Sequence, residues 1–210
     1  MTAQIGDIYK YKGEEYNIVA KSKPICFDPR EYGLEPHMRN TACCRGYWCE
    51  YSIQEDGICL NNLFVFNKDG IYPDINGISV SQEEFELCKV FDFTSGKWEQ
   101  TERAKYFGHR EYKDLNIIIP FSGRILVGKD FIRGYHVNMG YQRAVGYKRL
   151  MEFLFDESGL VDVVDQSEMA KELRKMERSK SDKTELTVDE IRRFVEDSFS
   201  LDYETKAWWL

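Results

Sequence analysis

Covalent or metal chemistry in this chain would run through its three histidines, its six cysteines and the serines of Ser95-Gly96 and Ser122-Gly123. His37, His109 and His136 lie far apart in sequence, and their spacing has no resemblance to that of a tetrahedral metal centre. A hydrolase would need His136 or His109 brought beside a nucleophile. Neither serine sits in Gly-x-Ser-x-Gly, and Ser-Gly is above all turn chemistry. Cys26, Cys43, Cys44, Cys49, Cys59 and Cys88 all fall in the first 88 residues. The adjacent pair Cys43-Cys44, followed by a gap of five to Cys49, is not the short ligand pairing of a zinc site. Placed on a strand, Cys43 and Cys49 share one face and Cys44 takes the other. The expectation is reduced thiols used as small apolar side chains, with no bound metal. Gly128-Lys129 lacks the rest of a phosphate-cradling loop, and no Gly-x-Gly-x-x-Gly is present. No catalytic set and no cofactor are expected.

Binding chemistry has better material. Arg45, Tyr47, Trp48, Arg124, Tyr135, His136, Asn138 and Tyr141 combine arginine with aromatic and polar side chains, the types that dominate binding hot spots. The same residues on strands also build cross-strand ladders with arginine stacked on rings. A pocket formed by Arg124, Tyr135 and Asn138 would pair a guanidinium with a phosphate- or carboxylate-bearing ligand.

The elements that must hold these residues are mostly strands. Ile8 to Val19 reads as a hairpin turning at Lys12-Gly13. The stretch Ser22 to Asn40, with Pro24, Pro29, Gly33 and Pro36, reads as a long irregular connection. Tyr47 to Ile53 and Ile58 to Phe66 form a second hairpin around Gln54-Glu55-Asp56-Gly57. Later strands are expected at Ile117 to Ile119, Ile125 to Val127, Met151 to Phe155 and Leu160 to Val164. Ser81-Gln82-Glu83-Glu84 has the form of a capping box and predicts a short helix or single turn that buries Phe85 and Cys88. After Asp165 the pattern changes to two helices. The first carries Met169, Leu173 and Met176 as a narrow stripe, and the second starts at Thr187 with Glu190 completing a capping box. The terminal Ala207-Trp208-Trp209-Leu210 is expected to dock. The fold class is therefore α+β: a mostly antiparallel sheet or small barrel-like body over residues 1–166, and a helical appendage over residues 167–210.

Two sets of segments carry a resemblance. Arg45-Gly46-Tyr47, Tyr51-Ser52-Ile53 and Leu60-Asn61-Asn62-Leu63 form one set. Val90-Phe91-Asp92-Phe93-Thr94-Ser95-Gly96-Lys97-Trp98, with His136-Val137-Asn138-Met139-Gly140-Tyr141, forms the other. Together they resemble an uncharacterised family of small bacterial β-rich proteins with no established activity. The resemblance implies a β-rich fold. Asn138 stands where that family has a histidine before Met-Gly, and an asparagine does not act as a general base near neutral pH. On a strand, His136 and Asn138 would share a face. Arg45-Gly46-Tyr47 also recurs as Arg133-Gly134-Tyr135, a weak internal echo.

Composition sets the outer limits. The 210 residues are 42% hydrophobic and 14% aromatic, enough for a packed core. A net charge of -7 opposes a phosphate-binding surface, so no nucleic-acid partner is expected. Residues 168–197 hold eight basic and nine acidic side chains, which leaves most of the excess negative charge to the β-rich body. With no apolar run long enough for a membrane span and no secretory signal pattern, the chain is expected in the cytoplasm and off membranes. The function expected is that of a non-enzymatic binding protein, of immunity or inhibitor type, with a protein partner whose surface is basic.

Overall fold

The computed structural model describes residues 2–25, 27–179 and 188–206. Its strands are β1 (Ile8–Tyr11), β2 (Glu14–Lys21), β3 (Tyr47–Gln54), β4 (Gly57–Val65), β5 (Phe85–Asp92), β6 (Lys97–Ala104), β7 (Arg110–Tyr112), β8 (Ile117–Ile119), β9 (Gly123–Phe131), β10 (Tyr147–Asp156) and β11 (Gly159–Asp165). The helices α1 (Ser167–Ser179), α2 (Val188–Phe199) and α3 (Tyr203–Lys206) follow. The fold is α+β. A nine-stranded sheet runs β11-β10-β9-β2-β1-β3-β4-β7 with β8 also on β4, and β5 and β6 form a separate two-stranded sheet. The sheet is mixed, because β1 pairs parallel with β3.

The chain divides into two compact units. The first comprises Met1–Phe27, Cys49–Asn61 and Asn116–Leu210. Lys12 at φ 49° and Gly13 at φ 77° give β1 and β2 the left-handed turn that suits twisted strands. Along β9, Ile125, Leu126 and Val127 are fully buried, so both faces of this central strand, which pairs with β10 on one edge and β2 on the other, are covered. Leu126 joins Val19, Ala20, Ala144, Tyr147, Leu150, Ala170 and Tyr203 in one apolar cluster, so α1 and α3 each contribute to this core. The contact residues of α1 are not the expected stripe: Met169 and Met176 are exposed. Ala170 is buried, and one turn on, Arg174 Nη1 donates to Val145 O at 3.1 Å and Tyr147 O at 2.6 Å. A small residue lets the helix approach closely, and the guanidinium satisfies carbonyls that apolar side chains would leave bare.

The second unit comprises Asp28–Trp48 and Asn62–Leu115. Its irregular stretches are organised by side chains rather than by ladders. Asn67, buried, accepts from Glu35 N and donates to Asp69 Oδ1 at 2.8 Å and Ile71 O at 2.5 Å. Here the structure corrects the sequence reading. Ser81 to Glu84 form no helix: Ser81 N donates to Glu111 O at 2.8 Å, and Phe85 opens β5. An eight-residue antiparallel register with β6 satisfies this backbone, whereas one isolated helical turn is unfavourable to nucleate. Cys43 and Cys44 precede β3 in a turn, so strand alternation does not govern them; Cys43 is buried and Cys44 exposed. The Arg-Gly-Tyr echo is not a structural repeat, since the first copy leads into β3 and the second forms a 3-10 turn. The start of α2 at Thr187 with Glu190, and the docking of Ala207 to Leu210, lie outside the described residues or side chains.

Candidate functional site

The β5–β6 hairpin is built by alternation. Its register places Phe91 opposite Trp98, Leu87 opposite Glu102 and Phe85 opposite Ala104 on one face, with Lys89 opposite Gln100 between them. The other face carries Glu86 opposite Arg103, Asp92 opposite Lys97, Val90 opposite Glu99 and Cys88 opposite Thr101. One face is thus apolar and aromatic, the other charged. Such an apolar face is ordinarily buried against a core, yet Phe85, Leu87 and Trp98 are 58%, 69% and 68% exposed. Phe91 meets Phe93 and Trp98 edge to face at 5.2 and 5.5 Å, and Phe93 at the tip is 92% exposed. The tip is rigid. Asp92 accepts from Thr94 N at 2.8 Å and Ser95 N at 3.1 Å, and Gly96 takes φ 66°. Ser95 is therefore a turn residue. A bond from the Ser95 side chain, and next that from Thr94 N, hold the Asp92 carboxyl below its usual range.

The hairpin stands on an aromatic base in the same unit. Trp48 stacks on Phe64 at 4.8 Å, and His109 tilts against Trp48 at 4.8 Å. Trp48 is buried there. Arg45 folds over Tyr47 at 4.7 Å and its Nε donates to Tyr47 O at 2.6 Å, leaving both side chains half-exposed. Gly46 between them takes φ 78°, and a Cβ there would stand 2.5 Å from His37 N, so the glycine is fixed by a close backbone approach.

The remaining sequence-predicted residues belong to the first unit. Arg124 is exposed, donates to Glu152 at 3.3 Å and lies over the Tyr203 ring at 5.9 Å. It is engaged in holding α3 to the sheet. Tyr135 closes a 3-10 turn, and His136 and Asn138 are exposed in the irregular stretch after it, so strand alternation does not put them on a common face. Gly140, at φ 66°, has no room for a side chain, because a Cβ would lie 2.0 Å from Ser198 O of α2. That same carbonyl accepts from Tyr141 N at 2.7 Å. The Met-Gly-Tyr segment is thereby the junction on which α2 seats.

A cleft of about 320 Å³ in the first unit is lined by Asp56, Asp156 and Glu157 opposite Ile118, Pro120 and Phe121. Its carboxylates repel an anionic ligand. As for hydrolytic chemistry, the His109 ring offers Nδ1 to Tyr106 O at 3.0 Å and its Nε2 has no partner, so no serine or cysteine is hydrogen-bonded to it. Among the described residues, no group of three or more His, Cys, Asp or Glu side chains is arranged to hold a metal ion. No described helix is long and apolar enough to cross a membrane. Sequence reasoning missed the hairpin face, although Phe85, Leu87 and Phe91 at alternate positions are its signal. Comparison with known protein families, with curated proteins and with solved structures gives no match to this chain.

Proposed function

We propose that this is a non-enzymatic, cytoplasmic binding protein that engages a protein partner through the apolar face of the β5–β6 hairpin, as an immunity or inhibitor-type protein does. The observation that carries this reading is the exposure of Phe85, Leu87 and Trp98 on one face of the hairpin, with half-buried Phe91 between them and Phe93 beyond. An isolated two-stranded hairpin is marginal in water, and large exposed apolar patches mark interaction sites. Aromatic anchors of this kind supply most of an interface's energy. The partner chemistry that fits is an apolar strip on a basic surface, since the chain carries -7, while Lys89 and Glu102 within the apolar face balance each other.

The test is affinity capture from the native host with the wild-type chain and with a Leu87→Ser/Trp98→Ser variant, followed by reconstitution with the purified partner. The variant is expected to lose the partner while keeping its circular dichroism spectrum. Equal retention by both chains overturns the reading, as does concentration-dependent dimerisation that uses the same face.

A further inference from the structure

The segment joining β6 to β7 holds Tyr106 at φ 50° and Phe107 at φ 56°, followed by Gly108 at φ 77°. Three consecutive left-handed residues, two of them aromatic, store backbone strain at the two non-glycines. The strain delivers His109 into the base of the hairpin, where it is 3% exposed. Its Nδ1 faces the Tyr106 carbonyl at 3.0 Å, and a carbonyl only accepts, so Nδ1 carries the hydrogen and Nε2 the lone pair. That lone pair is buried with no partner. A buried acceptor left unpaired is rare enough to demand a reason.

The surroundings decide what a second proton would do. Trp48 and Phe64 supply rings, and Phe66 faces the imidazole at 6.2 Å. The Arg39 guanidinium lies over Phe66 at 4.7 Å and sits against Gly108. Ser81, Gln82, Glu84, Lys105, Tyr106 and Glu111 complete a small cavity with His109. Both carboxylates there are drawn to lysines: Glu84 pairs with Lys105 at 2.7 Å, and Lys113 bridges Glu84 at 3.4 Å and Glu111 at 3.3 Å. An imidazolium would thus be a buried cation near Arg39 with one N–H lacking an acceptor. Burial, and then the Arg39 charge, hold the His109 pKa below its ordinary value, in keeping with this geometry.

We infer that His109 is a proton-operated latch on the hairpin base: its neutral form keeps the strained Lys105–Gly108 turn closed, and protonation in mild acid opens it. The hairpin is tied to its base beside that turn, because Ser81 N donates to Glu111 O at 2.8 Å and Arg110 Nε to Ser81 O at 2.9 Å, whereas the bond from Lys105 N to Glu84 O at 2.8 Å closes the ladder of the hairpin itself. Release of that tie frees the apolar face from its fixed mount. The inference rests on the proposed binding face for its purpose and not for its mechanism.

The test is amide hydrogen exchange over residues 84–112 of the whole chain at pH 7.0 and below, corrected for intrinsic rates, with the His109 ring followed by NMR. Opening is expected to accelerate below the ordinary histidine pKa of about 6.5, approaching tenfold per pH unit. His109→Gln should abolish the acceleration, whereas His37→Gln and His136→Gln should leave it intact. If His109→Gln fails to fold, Phe107→Gly relieves one strained position and should slow opening at every pH, while the acceleration still begins below about 6.5. Acceleration that persists in His109→Gln, or opening as fast in Phe107→Gly as in wild type, overturns the latch. Exchange needs no partner, so this result is separable from failure of the binding reading.

Discussion

The Glu152 carboxylate, buried on β10, receives Tyr203 Oη and Arg124 Nη1 on one oxygen and Gln166 Nε2 on the other, at 2.8 Å for the last. Charge-assisted bonds of this kind are the stronger sort, and removing one donor strands part of the carboxylate. Tyr203→Phe is expected to destabilise the fold by about 1–3 kcal/mol, measured by urea unfolding. Burial, and next the bond to Glu152, push the Tyr203 pKa up to about 12. A folded pKa above the unfolded value near 10 means the neutral phenol stabilises below that value, and the gain fades as pH rises through about 12. Tyr203→Phe should therefore flatten the alkaline limb of stability against pH. A second carboxylate behaves in the opposite sense. Glu14 on β2 accepts from Arg149 at 2.5 and 2.7 Å, Lys129 at 3.0 Å and Tyr16 at 2.9 Å. The Arg149 bond leads in holding its carboxyl well below the usual range. Its contribution exists above the ordinary carboxylate value and is lost as pH falls, so Glu14→Gln should lessen acid destabilisation. Because the cluster is partly exposed, salt should shrink the difference between Glu14→Gln and wild type.

Among the elements, glycine contacts decide what can dock. Gly140→Ala puts a methyl group into the Ser198 carbonyl at a left-handed position, so α2 must shift. The expected cost is about 1–3 kcal/mol of overpacking, with faster exchange confined to α2 and the Tyr141 amide; unchanged protection in α2 would refute this account of the junction. Arg45-Gly46-Tyr47 and Met139-Gly140-Tyr141 both lie in the resemblance segments. Tertiary contact gives both glycines a packing reason. Which element forms also depended on context at Ser81 to Glu84, where a valid helix-start pattern lost to pairing with a strand that begins at Lys97. The alternation in Phe85, Leu87 and Phe91 was legible all along, but a capping box and a strand were both open to the same residues.

For the whole molecule, charge and apolar surface would act on different steps of the proposed association. The net charge of -7 acts at long range, so the association rate with a basic partner should fall as ionic strength rises, while dissociation changes little. The apolar hairpin face acts at contact, so Leu87→Ser/Trp98→Ser should chiefly speed dissociation; stopped-flow mixing with the captured partner separates the two. The strands β1 to β4 and β8 to β11, the turn at Lys12-Gly13 and the helices after Asp165 were set by local chemistry: alternation, left-handed glycine positions and helical periodicity act over a few residues. The parallel pairing of β1 with β3, the docking of α1 through Ala170 and Arg174, the engagement of Arg124 by Glu152 and the burial of Trp48 and His109 were decided only by tertiary structure. Whether a side chain is anchor, scaffold or exposed surface depends on atoms brought from distant sequence, and periodicity along the chain carries no record of them.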